Sequence, residues 1–255
     1  MRNDFAGRPG AALVLGASGG LGAAIARMLI ERGSAVALTH RRDPSCLDEL
    51  LARPATAARR AYRLDLGDAD ACATVVGAVA ADFAGIHTVV YAAGPQVPMV
   101  HLSKVTPAQF RTHVDGELIA FFNAVQPALP HLRATGGSIV AVTTAATRRH
   151  PVRDGLSAAP KGGVEALVRG LAAEEGRFGV RANCVGPGML TDGMARRLIA
   201  SGELDERALE AARANIPLRR FGAAADVAEA VCFLASDRAG FVSGQKLDVD
   251  GGFGA

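Results

Sequence analysis

Short apolar runs alternate along the chain with longer segments in which apolar residues recur at helical spacing. Seven of the apolar runs predict strands, at 11–16, 35–40, 58–66, 87–94, 136–144, 180–188 and 245–252. Most of these runs lack the polar alternation of a half-exposed strand, which is typical of strands covered on both faces in a parallel sheet. The segments between them predict helices at 21–33, 71–83, 110–132 and 156–178, followed by two more before the last strand.

Strict alternation of strand and helix, joined by right-handed crossovers, predicts an α/β fold of the doubly wound Rossmann type. The sheet is expected to have seven mostly parallel strands, with helices on both faces. No linker, repeat or low-complexity segment divides residues 1–255, which predicts a single domain. The long, charged segment 189–222 departs from the alternation and follows the carboxyl end of a strand, where such folds bind ligands. It is therefore a candidate substrate lid.

Composition and charge narrow the range of partners. Hydrophobic residues make up 49% of the chain, which suits packed layers and excludes an intrinsically disordered chain. The formal net charge is only +3 and there is no basic stripe, so nucleic-acid binding is not expected. No apolar run reaches membrane-spanning length and the N-terminus lacks a signal-peptide core, which predicts a cytoplasmic protein without membrane contact. The four cysteines have neither C-x-x-C nor metal-ligand spacing, so we expect reduced thiols and no metal.

The sequence GASGGLG at 16–22 joins the first predicted strand to the first predicted helix. Gly16 permits the tight turn, Gly20 lets the backbone approach a pyrophosphate, and Gly22 lets helix and strand pack closely. Free N–H groups and the dipole at the helix N-terminus favour a bound phosphate. Because strand, loop and helix occur in the order that this mechanism needs, the segment predicts a dinucleotide site.

The end of the second predicted strand indicates which nucleotide binds. An NAD site places an acidic residue there to accept hydrogen bonds from the ribose, whereas this chain has His40, Arg41 and Arg42. Arginine binds a 2′-phosphate through a charge-assisted fork, and an acidic residue would repel it. Ser18 in the glycine loop can add a hydroxyl contact. The sequence therefore predicts NADP(H) as the cofactor.

Several ordered motifs resemble those of the short-chain dehydrogenase/reductase family, over nearly the whole chain. The glycine loop has the spacing G-x-x-x-G-x-G rather than G-x-G-x-x-G, and YAAG at 91–94 falls where the family has N-N-A-G. NCVGPG at 183–188 falls on N-x-x-x-P-G, and FVSGQKLDVDGG at 241–252 on the C-terminal strand. The resemblance implies a set of cofactor contacts: Gly16, Ser18, Gly20, Leu21 and Gly22 in the loop, Asp65 and Leu66 at the adenine, Ala92, Gly94 at the adenosine ribose, and Pro187, Gly188 and Leu190 at the nicotinamide.

The same resemblance places SAAPK at 157–161 on the family motif Y-x-x-x-K. Lys161 is then the lysine that holds the nicotinamide ribose. GSIVAVTT falls on a strand that ends in the catalytic serine of the family, and its last residue precedes Ser157 by the family interval. Three family residues are thus replaced. Ser157 stands for the tyrosine, Thr144 for the serine, and Glu117 for the asparagine of the long helix that relays protons.

Ser157 cannot take the place of a phenol as a proton donor. A phenol titrates near 10 and a neighbouring lysine lowers that value, whereas an aliphatic alcohol is far too weak an acid. Thr144 keeps a hydroxyl that can donate to a substrate oxygen. The chain has only two tyrosines, Tyr62 and Tyr91, and Tyr91 is expected to pack beneath the cofactor. Pro160 is tolerated only in the first turn of a helix, so this helix is expected to start near Ser157.

These replacements favour reduction of a C=C bond conjugated to a thioester carbonyl, because the developing charge spreads into an enolate. Ser157, Thr144 and Lys161 can donate hydrogen bonds to that oxygen, and the S-x-x-x-K spacing is similar to that of dienoyl-CoA reductases. Glu117 is either a proton source whose pKa is raised by burial or a helix residue that faces solvent. The alternatives are a carbonyl reductase or alcohol dehydrogenase with a rebuilt proton relay, a redox-inactive NADP(H)-binding protein, and an isomerase or lyase.

The remaining candidates concern the substrate and the assembly. Four histidines show no metal-ligand spacing and are expected at the surface or in loops: His101, His113, His131 and His150. Arg148 and Arg149 follow a predicted strand, where they either meet an anionic substrate or stay solvated. We expect a small-molecule substrate, such as a CoA or acyl-carrier thioester. The apolar faces of the helices at 110–132 and 156–178, which family members use for assembly, predict a homo-oligomer, a dimer or tetramer.

Overall fold

A computed structural model describes residues 3–52, 57–191 and 206–255 of the chain. At the centre lies one sheet with strands β1 (Ala11–Leu15), β2 (Val36–His40), β3 (Arg59–Arg63), β4 (Ile86–Tyr91), β5 (Ser138–Val142), β6 (Arg181–Pro187) and β7 (Lys246–Val249). The strand order is β3-β2-β1-β4-β5-β6-β7, and every neighbouring pair is parallel. The order reverses between β1 and β4, so the carboxyl ends of these strands flank the crevice where a doubly wound fold binds its ligand.

Helices cover both faces of the sheet, which confirms the predicted fold class. They are α1 (Gly20–Glu31), α2 (Asp48–Ala52), α3 (Ala69–Asp82), α4 (Pro107–Val114), α5 (Ala120–Val125), α6 (Leu129–Thr135), α7 (Gly155–Glu175), α8 (Glu206–Ala214) and α9 (Ala224–Ala235). α1 and α9 pack on one face, and α3, α5, α6 and α7 pack on the other. Within the described ranges, no helix combines the length and the apolar character that crossing a bilayer requires.

Each central strand supplies side chains to both layers, because successive side chains of a strand point to opposite faces. In β1, Val14 packs with α1 and α9, whereas Leu13 and Leu15 pack with α3 and α5. All five residues of β1 are buried, which explains the continuous apolar run in the sequence. Burying a Val or Leu side chain contributes about 1.5–3 kcal/mol, so this part of the sheet is a rigid support for the loops at its edge.

The long helix expected at 110–132 is a series of shorter segments. α4 starts three residues before the predicted start, because Thr106 and Gln109 form a capping box. A π-helical turn at Asp115–Ile119 joins α4 to α5, and a 3-10 turn containing a proline separates α5 from α6. π-helical turns are rare and are frequently found at functional sites. This turn carries Glu117.

The helix that carries Ser157 and Lys161 begins earlier than predicted. α7 starts at Gly155, and Pro160 is its sixth residue, beyond the first turn. The expected start near Ser157 was wrong because one internal proline removes a single N–H bond, that to the carbonyl of Leu156. The remaining length of this 21-residue helix, packed against the sheet, tolerates that loss.

All seven strands are shorter than the predicted runs, and the shortfall is large at both edges of the sheet. β3 ends at Arg63 rather than at residue 66, and β7 spans only Lys246–Val249. Both are edge strands of the sheet, and their residues are mostly half-buried. The sequence therefore placed them correctly in the order of elements, although the apolar runs did not mark their ends.

The candidate lid at 189–222 lies only partly among the described residues, since 192–205 fall outside them. Its two ends are joined to each other. The Thr191 N–H donates to the Gly222 carbonyl at 2.9 Å, and the Gly222 N–H donates to the Met189 carbonyl at 3.1 Å. In its described part, the segment is thus joined end to end beside the carboxyl end of β6, and its Leu218 N–H also donates to the Gly251 carbonyl at 3.1 Å.

A hydrogen-bonded network is buried at the opposite, amino edge of the sheet. The His87 ring lies 3.3 Å from the Ser34 hydroxyl and 2.9 Å from the Thr88 hydroxyl. Ser138 links Thr88 to a backbone carbonyl at the C-terminal end of α9. Burial, with a smaller contribution from the charge of Arg8, lowers the pKa of His87 to about 3. This histidine is therefore neutral at physiological pH.

Candidate active site

The predicted site residues come together at the carboxyl edge of the sheet. Because all seven strands are parallel, the loops that follow them emerge on the same side. The glycine loop follows β1, His40 ends β2, Tyr91 ends β4, Thr144 follows β5 and Pro187 ends β6. α7 then brings Lys161 to the same edge.

The glycine loop has the shape that a pyrophosphate requires. Gly16 has φ +81°, and a Cβ there would lie 2.7 Å from the Cα of Ala93. A Cβ on Gly22 would lie 2.2 Å from the Gly16 carbonyl oxygen, so this helix and its preceding strand need glycine to approach each other. The Gly16 N–H is already bound to the Thr39 hydroxyl at 3.0 Å, so Gly16 acts by shape and not as a donor.

The N-terminus of α1 is open to an anion. No side chain caps this helix, whose N-cap residue is Gly19. Ser18 and Gly20 beside it are exposed, and Leu21 is half-buried. Uncapped N–H groups and the positive end of the helix dipole fit a phosphate group.

The end of β2 presents basic groups. Arg41 and Arg42 are exposed, and neither pairs with a carboxylate among the residues described. The Nδ1 atom of His40 is buried without a hydrogen-bond partner. The nearest downstream acid, Asp43, accepts hydrogen bonds from both the N–H and the hydroxyl of Ser45, which lower its pKa. The basic groups at this position fit a phosphate better than they fit a ribose hydroxyl.

The predicted adenine and nicotinamide contacts flank the same edge. Asp65 accepts from the Gly67 N–H at 3.0 Å, and the Leu66 carbonyl accepts from the Asn123 amide at 3.1 Å. Asn123 was not identified from the sequence, although it fixes this loop. On the other side, Gly188 donates to the carbonyl of residue 249 and Leu190 is buried, forming a wall beyond β6. The backbone of Ala92 donates to the Leu15 carbonyl at 3.0 Å, which closes the crevice at its base.

The chemical centre of this edge is a buried ion pair. The Lys161 ammonium donates to Oε2 of Glu117, and the two side chains are 14% and 3% exposed. Burial raises the pKa of the Glu117 carboxyl, and the charge and hydrogen bond of Lys161 oppose that rise only in part. A Cβ on Gly94 would lie 2.7 Å from Oε2, so a glycine is needed there to make room for the pair. Of the two alternatives for Glu117, the solvent-facing one is therefore wrong.

Neither tyrosine of the chain lies beside Lys161. Tyr62 belongs to β3, where its hydroxyl donates to Asp82 at 2.6 Å. Tyr91 is fully buried, and its hydroxyl donates to the backbone carbonyl of Glu117 at 3.0 Å. Burial, with a smaller effect of the Glu117 charge, raises the pKa of Tyr91 well above 10. Tyr91 supports the π-helical turn from below and is a poor acid.

Two hydroxyl groups lie along the same edge. Ser157 is in the first turn of α7, one turn before Lys161, and its backbone N–H donates to the carbonyl of Asp154 at 3.0 Å. Thr144 caps the short 3-10 turn after β5, and its hydroxyl oxygen accepts from the Ala146 N–H at 3.1 Å. The Thr144 proton therefore remains available for a bond to a ligand. Both side chains are half-buried.

Two titratable residues near Lys161 were missed by sequence reasoning. His113, expected at the surface or in a loop, is only 8% exposed, and burial and the charge of Lys161 lower its pKa. Its spacing of four residues from Glu117, which predicts a shared helix face, was the available signal. Asp154 is the N-cap residue of α7, but its side chain makes no capping bond. Burial raises the pKa of Asp154, and Lys161 opposes the rise.

A cavity of about 330 Å³ opens beside Asp154. Its walls come from the loop before α4 and the loop before α7: His101, Leu102, His150, Pro151, Val152, Arg153, Asp154, Gly155 and Ala158. Arg153 has φ +74°, a strained conformation for a residue with a side chain, and its Nε donates to His101 at 3.2 Å. Arg149 is turned away, since it donates to the Phe253 carbonyl and stacks on that ring. Among the described residues, no group of histidine, cysteine and acidic side chains is arranged to hold a metal ion.

Comparison with known proteins agrees with this geometry. A family model described as Enoyl-(Acyl carrier protein) reductase matches residues 16–254. The chain belongs to the short-chain dehydrogenase/reductase family. Short-chain dehydrogenases and reductases are oxidoreductases that use a nicotinamide cofactor, and the residues of the glycine loop fit that group.

The relatives within this family differ in their substrates. The chain is 35% identical to cis-4-hydroxycyclohexanecarboxylate dehydrogenase of Sinomonas cyclohexanicum, over 96% of each sequence. It is 34% identical to the peroxisomal 2,4-dienoyl-CoA reductase of Saccharomyces cerevisiae, over 59% of this chain and 50% of that one. A short-chain dehydrogenase of Burkholderia cenocepacia, solved in complex with NADP, is 29% identical with a TM-score of 0.88, covering 99% of this chain and 100% of the other. Family membership therefore gives the reaction class and leaves the substrate open.

Proposed function

We propose that this chain is an NADP(H)-dependent reductase of a C=C bond conjugated to a carbonyl, in an enoyl or dienoyl thioester. The observation that carries the proposal is the buried Lys161–Glu117 pair, together with two tyrosine hydroxyls that each donate elsewhere, to Asp82 and to the Glu117 backbone carbonyl. A carbonyl reduction leaves an alkoxide, which needs a good proton donor at oxygen. A conjugated C=C reduction needs hydrogen bonds at oxygen and a proton at carbon, and this site offers both.

The cofactor would be held by the open N-terminus of α1, by Arg41 and Arg42 at its 2′-phosphate, and by the crevice between β1 and β4. Bound there, the nicotinamide would supply a hydride to the substrate. Gly94 would border the adenosine ribose, and Pro187, Gly188 and Leu190 would border the nicotinamide; a Cβ at 94 or 188 would meet neighbouring atoms.

The hydroxyl groups and the ammonium of the site stabilise the substrate oxygen. As the β-carbon becomes saturated, the electrons of the C=C bond move toward the carbonyl oxygen and form an enolate. Thr144, Ser157 and Lys161 provide donors for this oxyanion, in a half-buried site where such bonds are stronger than in water. The enolate is a much weaker base than an alkoxide, so hydrogen bonds are sufficient and no phenol is needed.

Glu117 supplies the proton that completes the reaction. Burial raises its pKa, which makes the carboxyl easier to protonate than an exposed one; once protonated, it can donate to the α-carbon as the enolate electrons return to form the C–H bond. The carboxylate that remains is stabilised by the neighbouring Lys161 ammonium. The same residue that replaces the family asparagine thus acts as the acid in place of the family tyrosine.

A second candidate function is supported by several relatives, among them two dehydrogenases and a 3-oxoacyl-[acyl-carrier-protein] reductase. The chain is 35% identical to a dehydrogenase named for a hydroxycyclohexanecarboxylate, which favours oxidation or reduction at a C–O centre. In this alternative, Glu117 and Lys161 form a rebuilt relay to a carbonyl oxygen. The third candidate, a redox-inactive NADP(H)-binding protein, is motivated by the combined replacements at Thr144, Ser157 and Glu117.

An assay of NADPH oxidation by the purified protein distinguishes these three functions. We expect NADPH oxidation with crotonoyl-CoA or hexadienoyl-CoA and little with cyclohexanone. E117Q is expected to lower the turnover number by about a hundredfold, as loss of a general acid does. D115N changes an exposed carboxyl in the same π-helical turn and serves as the matched control. Oxidation with the ketone alone would establish the second candidate, and tight NADPH binding without turnover of any of the three would establish the third.

Cofactor preference is tested by calorimetry. R41Q/R42Q removes two groups that would each form a charge-assisted bond to the 2′-phosphate, so NADPH affinity is expected to fall by at least about tenfold. NADH affinity is expected to change little, because NADH lacks that phosphate. R148Q removes an exposed arginine on the substrate side and serves as the control. Equal wild-type affinities for the two nucleotides would contradict the assignment.

We also propose that residues 189–222 act as a substrate lid and that the protein is a homo-oligomer. The lid proposal is supported by its attachment beside β6 through Thr191 and Gly222. The assembly proposal is supported by exposed Phe110, Ile119 and Phe122 on the α4–α5 segment. Light scattering that gives the mass of a monomer would exclude the assembly.

A further inference from the structure

His113 occupies a position that the proposed reaction does not yet explain. It lies near the end of α4, only 8% exposed, and its Nδ1 atom is buried without a hydrogen-bond partner. α4 packs against α7 and against the π-helical turn that carries Glu117. A buried polar atom without a partner costs about 1–3 kcal/mol, so each such atom in a folded protein calls for an explanation.

Glu117 has a second atom of the same kind. Its Oε2 accepts from Lys161, but its Oε1 is buried without a partner. His113 and Glu117 are four residues apart along α4 and the π-helical turn that continues it, so the two side chains are on the same side of this helical segment. Lys161 pairs with Glu117, and its charge also lowers the pKa of His113.

We propose that His113 is a proton-relay residue, which returns a proton from solvent to Glu117 after each turnover. The inference rests on the proposed function, in which Glu117 gives its proton to the substrate carbon. A relay explains why two buried side chains on adjacent turns each leave a polar atom unpaired. It also explains how a carboxyl that is 3% exposed regains a proton, since His113 keeps a small contact with solvent.

The transfer balances without any further reactant. The N–H bond of the imidazole breaks, an O–H bond forms on the Glu117 carboxylate, and the second ring nitrogen takes up from bulk solution the one proton that each reduction consumes. Nothing is oxidised or reduced. Burial raises the pKa of Glu117 and lowers that of His113, and transfer is most efficient between groups with similar pKa values.

Three other ionisable residues belong to the elements that pack around His113. From α7, Lys161 acts on His113, and Asp154 at the start of that helix is subject to the same ammonium. From the π-helical turn, Asp115 is exposed. The environment of His113 is therefore dominated by one cation, and removal of that cation should be visible in the titration of the ring.

NMR titration of the histidine rings tests this placement without any turnover. In K161M the pKa of His113 is expected to rise, because the cation that lowers it is gone. In E117Q the Nδ1 chemical shift of His113 is expected to change, while the signals of exposed His101 and His150 stay fixed and serve as internal references. A His113 signal that is unchanged in both variants would overturn the proposal.

Chemical rescue tests the relay itself. H113A is expected to lower the turnover number with crotonoyl-CoA at least about tenfold with little change in KM, and added imidazole is expected to restore it. H113Q, which keeps much of the ring volume, should behave as H113A does without imidazole. H131A, on α6, should show no loss and no rescue. If the His113 signal changes in K161M and E117Q but imidazole does not rescue H113A, the relay alone is overturned. A wild-type protein that reduces no enoyl thioester overturns both the proposed function and the relay.

Discussion

At the scale of single residues, the site depends on a carboxyl that is buried with one partner. Glu117 is nearly inaccessible, and Lys161 is the cation that pairs with it. Breaking a buried pair by removing one partner typically costs about 3–5 kcal/mol, because the remaining charge is left without compensation. The stability of the protein should therefore report on the pair independently of any substrate.

K161M is expected to destabilise the protein, and more so as the pH rises. The pKa of Glu117 in the folded protein is already above its unfolded value, and loss of the cation raises it further. Its contribution to stability is thus complete below the unfolded pKa of about 4.5 and is lost as the pH rises through the folded pKa. Urea unfolding at pH 5 and pH 8 measures the difference.

Two variants control that measurement. K104M makes the same substitution at an exposed lysine and should leave the unfolding free energy nearly unchanged. E117Q/K161M removes both charges and should restore most of the stability at pH 8. A K161M protein as stable as the wild type at pH 8 would show that Glu117 is not buried as described.

Individual residues were predictable to different degrees. The spacing of Thr144, Ser157 and Lys161 is a property of the chain, so the sequence placed them on the correct elements. The burial of Glu117 and His113 depends on a π-helical turn, which has no sequence period of its own. The segment from 107 to 114 also has a polar composition, so nothing in its pattern indicates a buried histidine.

At the scale of elements, α1 requires glycine where it approaches the loop before it, whereas α3 contains a glycine that its packing does not require. A Cβ on Gly22 would lie 2.2 Å from a backbone oxygen, which cannot move aside as a side chain can. Gly77 in α3 is exposed, and a Cβ there meets nothing within 4 Å. The two positions are thus a matched pair for the same substitution.

G22A is expected to destabilise the protein and to weaken NADPH binding, because the turn must open to admit the methyl group. G77A is expected to stabilise it by about 0.5–1 kcal/mol, the usual gain of Ala over Gly within a helix. Urea unfolding gives both stabilities, and a fluorescence titration gives both NADPH affinities. If G22A bound NADPH as tightly as G77A does, close packing of this loop would not be needed for the site.

The hydrophobic pattern predicts the central strands well, and it predicts edge strands and helix irregularities poorly. The central strands are buried on both faces, so their apolar runs identified them directly. The start of α7 was misplaced because Pro160 acts as a boundary in an isolated helix, whereas packing of α7 against the sheet holds this one together across the proline. Edge strands and helix irregularities are set by tertiary contacts, and the sequence marks them weakly.

At the scale of the whole molecule, the sheet separates two chemical environments. The carboxyl edge gathers the glycine loop, the basic residues after β2 and the Lys161–Glu117 pair. The amino edge holds the network of His87, Thr88 and Ser138, which connects β4 and β5 to α9. The fold class was predictable because strands and helices alternate along the chain, and the parallel direction of the strands brings the site residues to one edge.

The amino-edge network makes the stability of the whole fold depend on pH. The pKa of His87 is about 3 in the folded protein and about 6.5 when unfolded, so the unfolded state binds the extra proton between these values. Stability is therefore complete above about pH 6.5 and falls by up to about 1.4 kcal/mol per pH unit as the pH is lowered toward 3. Urea unfolding between pH 7 and pH 5 isolates this effect from most carboxyl groups. In H87Q the unfolding free energy is expected to change less with pH, even if the variant is less stable overall. H150Q, at an exposed histidine, should keep the wild-type pH dependence. An unchanged pH dependence in H87Q would show that the network does not exclude the proton.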